Sequence, residues 1–259
     1  MRKRSGNITD RLPAAAALLL ILLLWWGLAA SGAVPGYMLP SPLAVVRAFI
    51  GDFGNLMYHA ATSLQEAAYG LVIGVGLAFV IATVMDRFLL LEKALNPILV
   101  ITQTIPTIAI APLLVLWMGF GMAPKITLVV ITTFFPIAVG LLEGYKSVDP
   151  DSVNLLRSMG ADRIQIFRHV KLPAALPHFF SGLRISASYA VVGAVISEWL
   201  GGFEGLGVYM TRVKKAYAFD RMFAVIILIV IISLLLMALV DLIRTAAMPW
   251  ARLTKQSTK

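Results

Sequence analysis

The chain has 259 residues, 59% of them hydrophobic and only 14% charged, and its mean hydropathy is +0.87. That leaves too little polar side chain to cover a water-soluble globule, so a soluble enzyme is excluded. Lys and Arg number 22 against 13 Asp and Glu, a formal charge of +9, and the absence of cysteine removes disulfides, thiolate nucleophiles and Cys-ligated metals.

A helix crossing a hydrocarbon core of roughly 30 Å needs about 20 mostly apolar residues. Six segments meet or approach that length, near 12–32, 64–85, 94–118, 125–143, 177–199 and 222–245. The sequence therefore predicts an all-α membrane protein of about six transmembrane helices in a single domain over residues 1–259. The first run follows Met1-Arg2-Lys3-Arg4 and imitates a signal peptide, but its apolar stretch exceeds the usual ~7–15 residues, so an uncleaved span is expected. Residues 33–63 are too polar for the bilayer. Pro40 and Pro42 precede a short amphipathic helix around Leu43 to Phe53.

Gly70, Gly74 and Gly76 in the second span are expected to let a neighbouring helix approach closely. The third span carries Thr102, Gln103, Thr104 and Thr107 beside Pro106 and Pro112, which predicts a polar, kinked helix. Such backbone survives at membrane depth only when buried in protein or lining a cavity. In the fifth span Ser181, Arg184, Ser186, Ser188, Tyr189, Ser197 and Glu198 add further polar groups. Hydroxyls of this kind also serve as packing bonds between helices. Glu198 stands out because an acid inside a span is costly unless paired or wetted; an outer mouth, Arg212 or Lys214 would each satisfy it. The candidate substrate pathway is thus Thr102, Gln103, Thr104, Thr107, Ser188, Tyr189 and Glu198, with Trp199 as a second aromatic candidate. His59, His169 and His178 are too isolated to suggest a metal site.

Basic residues stay on the cytoplasmic side. With the N-terminus inside, sixteen of the 22 Lys and Arg fall on inner segments and six on outer ones, so both termini are expected in the cytoplasm. The basic surplus reads as membrane topology rather than as a nucleic-acid surface.

Residues 144–176 form the expected inner loop. Asp149 is an N-cap with Pro150 at the first helical position, and Gly160 stops that helix. Asp162 caps a second short helix that Pro173 closes. The pair presents apolar knobs, of which Phe167 is the largest, inside a rim of Arg157, Arg163, Arg168 and Lys171. Two readings fit such an element: an interfacial helix against anionic lipid, or a docking element for a soluble partner.

Gly160, nine residues and then Val170-Lys171-Leu172-Pro173 resembles the loop signature of permease subunits of binding-protein-dependent ABC importers. Asn154-Leu155-Leu156 stands where that family often has Glu-Ala-Ala. Leu39-Pro40-Ser41-Pro42, Thr104-Ile105-Pro106-Thr107, Phe134-Phe135-Pro136 and Gly205-Leu206-Gly207 extend the resemblance to the branch for nitrate, taurine, aliphatic sulfonates and thiamine-precursor pyrimidines. The resemblance implies a type I importer permease fold in a bacterial inner membrane. It implies ATPase coupling through Asn154, Leu155, Leu156, Gly160, Ile164, Phe167, Val170, Leu172 and Pro173. It further implies a homodimer, an external solute-binding protein, and ATP with Mg held by separate ATPase subunits, since this chain has no Gly-x4-Gly-Lys-Ser/Thr loop. The stretch Gly193-Ala194-Val195-Ile196-Ser197-Glu198-Trp199-Leu200-Gly201-Gly202, followed by Gly205-Leu206-Gly207, resembles the pyrimidine permeases more than those for sulfonate, taurine or nitrate. A secondary transporter or channel acting alone is the alternative from another class.

Overall fold

The computed structural model describes residues 8–250, and every regular element among them is helical. The basic residues Arg2, Lys3, Arg4, Arg252, Lys255 and Lys259, on which the expected placement of both termini partly rests, lie outside the described residues. Five helices are long and apolar enough to cross a membrane: α1 (Ile8–Ala30), α3 (Phe53–Arg87), α6 (Met122–Lys146), α9 (Leu172–Gly201) and α11 (Phe219–Ala247). Between α1 and α3 lies α2 (Pro42–Gly51), with Pro42 in its first turn and the Ser41 hydroxyl accepting from the Ala44 N–H.

The third expected span takes a different form. It is two helices, α4 (Leu89–Thr104) and α5 (Thr107–Met118), bent by 98° at Ile105-Pro106. Pro106 has no N–H to continue α4, and its ring drives Ile105 to extended backbone at ψ 121. The second span also begins earlier than expected. Residues 53–63 continue α3, whose 35 residues make a rod of roughly 50 Å.

Two more helices separate α6 from α9. Asp149 caps α7 (Pro150–Ser158), and Gly160 follows it at φ 86, a left-handed conformation that glycine adopts without strain. A reciprocal Asp162–Gln165 capping box opens α8 (Arg163–Ile166). The expectation that Pro173 closes this helix is corrected. The chain passes through a π-helical turn, Phe167–Lys171, and continues as α9, giving an unbroken helix over Arg163–Gly201. In the wider turn the Leu172 N–H reaches the Phe167 carbonyl, so Pro173 sits in the first turn of α9, where its missing N–H is tolerated. After α9, the loop Gly202–Gly205 leads to α10 (Leu206–Lys215) and then α11.

The contacts define two compact units, one of residues up to 57 with 209–228, the other of 58–208 with the chain from 229 onward. In the first, the Trp25 indole donates to the Pro40 carbonyl at 3.1 Å and stacks on Phe223 at 5.6 Å. There too the Tyr209 hydroxyl donates to Asp52, whose carboxylate also faces Arg221 at 3.9 Å. Burial, reinforced by that carboxylate, raises the Tyr209 pKa above the usual phenol value.

The second unit is organised around the α6–α9 pair. Gly140 and Gly144 on α6 face His178 and Ala175, and Gly182 on α9 faces Pro136. A Cβ on Gly140 would fall 2.8 Å from the His178 carbonyl oxygen, so these helices meet backbone to backbone. Pro136 interrupts the α6 ladder, and the Ser186 hydroxyl of α9 donates to the nearby Thr133 carbonyl at 2.8 Å. Met85, Leu99, Ile137, Leu141 and Tyr145 build the apolar core beside this seam. Gly70 and Gly74 give α3 its expected approach to Val129 and Thr133, whereas Gly76 faces open space.

Candidate functional site

Three constructions in the second unit carry polar chemistry. The first is the α7–α8 segment, for which the sequence leads one to expect a coupling role. Leu155, Met159 and Ile164 stand 62%, 74% and 75% exposed, an unusual state for such apolar side chains at the tip of a helix pair. Phe167 is only partly buried, but its ring packs on Tyr145 at 5.4 Å and joins the core, so it is not the outward knob expected from the sequence. Lys171 holds both carboxylate oxygens of Asp86 at 2.8 Å, tying the π-helical turn to the end of α3.

The second is a cavity of about 260 Å³ at the α4–α5 break. Thr102, Gln103, Thr107, Thr132 and Tyr189 line it with Ile105, Ile110, Ile131, Val192, Gly193 and Ile196. Among the described residues no charged side chain lines it. The bend at Pro106 exposes this wall, because a straight helix would have carried Gln103 and Thr107 along one continuous face.

The third is a buried ionic cluster near the N-terminal end of α3. Lys125 Nζ lies 2.6 Å from Glu66 Oε1, with both side chains almost wholly buried. Glu198 accepts from the Ser63 hydroxyl and from the Gly207 N–H, each at 2.6 Å. Ser63 in turn accepts from the Leu206 N–H at 2.8 Å, and His59 Nδ1 from the Gly205 N–H at 3.0 Å. Tyr58 donates to Glu204 at 2.6 Å. A glycine-rich loop is therefore pinned by side chains of α3 and α9. Gly205 permits this at φ 117, and a Cβ there would collide with the Glu198 carboxyl. Glu66 Oε2 is buried without a hydrogen-bond partner among the described residues.

The profile of the binding-protein-dependent transport system inner membrane components matches residues 70–252. The chain belongs to that family of permeases. This permease is 38% identical to a probable ABC transporter permease protein of Haemophilus influenzae, over 83% of this chain and 87% of that one. It is 35% identical to the formylaminopyrimidine transport permease protein ThiX of Halalkalibacterium halodurans, again over 83% and 87%. It is 30% identical to the putative aliphatic sulfonates transport permease protein SsuC of Bacillus subtilis, over 85% and 80%. Its fold is similar to that in inward-facing structures of the MetNI methionine ABC transporter, with a TM-score of 0.59 at 22% identity, covering 75% of this chain and 94% of that one. The permease is thus an inner-membrane ABC importer component of type I fold for small solutes, and it is a transport subunit rather than an enzyme.

Within the permease, the expected pathway residues divide. Thr102, Gln103, Thr107 and Tyr189 meet at the cavity. Thr104, Ser188 and Glu198 do not line it; the Thr104 hydroxyl turns back to the Ile101 carbonyl at 2.8 Å, and Glu198 belongs to the ionic cluster. Trp199 is also absent from the lining. Arg184, the one cation expected at membrane depth in α9, pairs with Asp241 at 3.3 Å. Of the expected coupling residues, Asn154, Leu155, Gly160 and Ile164 are exposed, whereas Leu156, Phe167, Val170, Leu172 and Pro173 are half-buried. Sequence reasoning missed Ser63, Glu66 and Lys125. The available signal was one acid and one base, each near the start of a predicted span, where opposite charges call for a partner.

Proposed function

We propose that this permease forms half of the pathway of an ATP-driven importer, as a homodimer with two ATPase subunits that carry ATP and Mg and with an external solute-binding protein, and that its solute is a small aminopyrimidine. The observation that supports the solute is the uncharged 260 Å³ cavity, where Gln103 and three threonines offer hydrogen bonds and Tyr189 offers an aromatic edge. A sulfonate or nitrate pathway calls for fixed positive charge, and none lines this cavity among the described residues. ThiX, named for formylaminopyrimidine transport, is a relative at 35% identity, which supports the same reading. In this reading the loop with Leu155 and Ile164 docks on the ATPase and faces the cytoplasm, as both termini do.

Thermal-shift screening of the cognate binding protein, followed by ATP-dependent uptake into proteoliposomes holding the full complex, tests the solute. Stabilisation and uptake with hydroxymethylpyrimidine or formylaminopyrimidine are expected. Stabilisation by taurine, an alkanesulfonate or nitrate alone assigns the permease to that solute instead. Reporter fusions within 148–171 are expected to report cytoplasm and fusions within 202–218 the exterior.

A further inference from the structure

A second cavity, of about 650 Å³, lies between the end of α3 and the coupling helices, away from the solute cavity. Arg87 of α3, Arg157 of α7 and Arg163 of α8 line it, together with Lys171 and Asp86. Lys171 and Asp86 neutralise each other through their two 2.8 Å contacts. The three arginines form no salt bridge among the described residues, and the Arg87 guanidinium rests 5.8 Å from the Phe88 ring centre. Three elements thus bring three uncompensated guanidinium groups to one concavity. Apart from Thr83, its remaining lining is apolar, from Val84, Phe88, Val153, Ile164, Ile166 and Phe167.

We propose that this cavity seats the phosphate headgroup of an anionic phospholipid. The argument is one of charge and depth. Arg87 ends a membrane span and Leu89 begins the next helix, so their corner lies at the level where lipid headgroups meet the hydrocarbon. Guanidinium groups match phosphate oxygens with paired N–H bonds, and a partly enclosed site is screened less by salt than an open surface. An acyl chain leaving the headgroup finds Phe88, Leu89 and Leu90, all exposed, on the adjoining wall. An acidic peptide would use the arginines but would gain little from that wall. Because Arg87 belongs to α3 while Arg157 and Arg163 belong to the coupling helices, one bound headgroup ties the coupling segment to a span.

The proposal rests on the membrane reading above but not on the solute. Its test is lipid retention by the full permease–ATPase complex, purified in detergent and analysed by native mass spectrometry after exchange into phosphatidylglycerol or phosphatidylcholine. The unchanged protein is expected to keep phosphatidylglycerol preferentially. Arg87→Gln, Arg157→Gln and Arg163→Gln are each expected to lower that preference by about fivefold, and Lys214→Gln/Lys215→Gln to leave it intact. Elution volume and helical circular dichroism identify any variant that fails to fold, and the remaining single variants then decide. Equal retention by the three arginine variants would overturn the proposal. So would protection by inorganic phosphate equal to that by the lipid, which assigns the site to a soluble anion. Loss of ATPase co-purification with lipid preference unchanged would make the cavity a protein seat and overturn it as well. Misdirected reporter fusions would sink the topology without touching the retention result.

Discussion

The two ends of α3 solve opposite problems. Near its start, Ser63 and Glu66 sit in a buried cluster where almost every polar atom has a partner, and the Gly202–Gly207 loop is held by four side chains, Tyr58, His59, Ser63 and Glu198. At its end, twenty residues and roughly 30 Å further along, Asp86 and Arg87 border a segment that leaves Leu155, Met159 and Ile164 in the open. One end spends polar groups to hold a loop still, and the other leaves apolar groups unpaired. In membrane proteins the first arrangement resists change because any broken pair strands a charge. The second keeps its surface for something outside the chain.

The contrast breaks most sharply at Lys125. Lys125→Ala strands Glu66 in the interior and is expected to cost about 3–5 kcal/mol. Glu66→Met with Lys125→Met, which removes both charges, is expected to restore most of that loss. Thermal unfolding in detergent measures both, and a double variant as unstable as the single one would mean that the pair has a role beyond mutual neutralisation.

Phe167 lies between the two regimes, since it belongs to the coupling segment by sequence and to the core by contact. Phe167→Ala is expected to destabilise by about 2–3 kcal/mol through lost packing on Tyr145. A stable Phe167→Ala protein that had lost its ATPase would return the ring to the docking surface. Ser63→Ala should cost less, about 1–2 kcal/mol, because it unpairs the Leu206 N–H and one Glu198 oxygen while leaving the ion pair. Proteolytic sensitivity of the 202–207 loop is the sharper readout there.

The smallest stability effects belong to the exposed knobs. Leu155→Ser and Ile164→Ser are expected to change stability by no more than about 0.5 kcal/mol yet to abolish ATPase co-purification. Unaltered co-purification in both would show that exposure at this tip has another cause.

Local signals made much of this legible from residues alone. Asp149-Pro150 and Gly160 mark the bounds of α7 because caps and left-handed stops depend on neighbours in the chain. The long apolar runs locate the spans for the same reason. The break at Ile105-Pro106 was legible as a kink, but its 98° angle was not, since the angle depends on what the two halves pack against. Pro173 misled because the π-helical turn that accommodates it has no sequence period of its own. Phe167 looked outward because hydrophobicity alone does not reveal Tyr145 behind it. The Glu66–Lys125 pair joins residues 59 positions apart, and no spacing rule reaches that far. That Glu198 sits in this cluster and not at the cavity was hidden for a related reason: its partners, Ser63 and Gly207, arrive from different elements.

The π-helical turn also sets an angular phase. Successive residues of an α-helix advance about 100° around its axis, and a π-helical turn holds one residue more than an α turn of the same span. From Ile164 to Glu198 the helix runs unbroken for roughly 50 Å, so the turn at Phe167–Lys171 acts as the keyway of a shaft. Were this turn to tighten to α winding with its extra residue retained, the face bearing Tyr189 and Glu198 would rotate by about 100° relative to Ile164, taking Tyr189 off the cavity wall and Glu198 off the loop. The permease therefore encodes which way its far end points in a single residue of winding beside α8, and a change of winding there would convert a push along the helix into rotation.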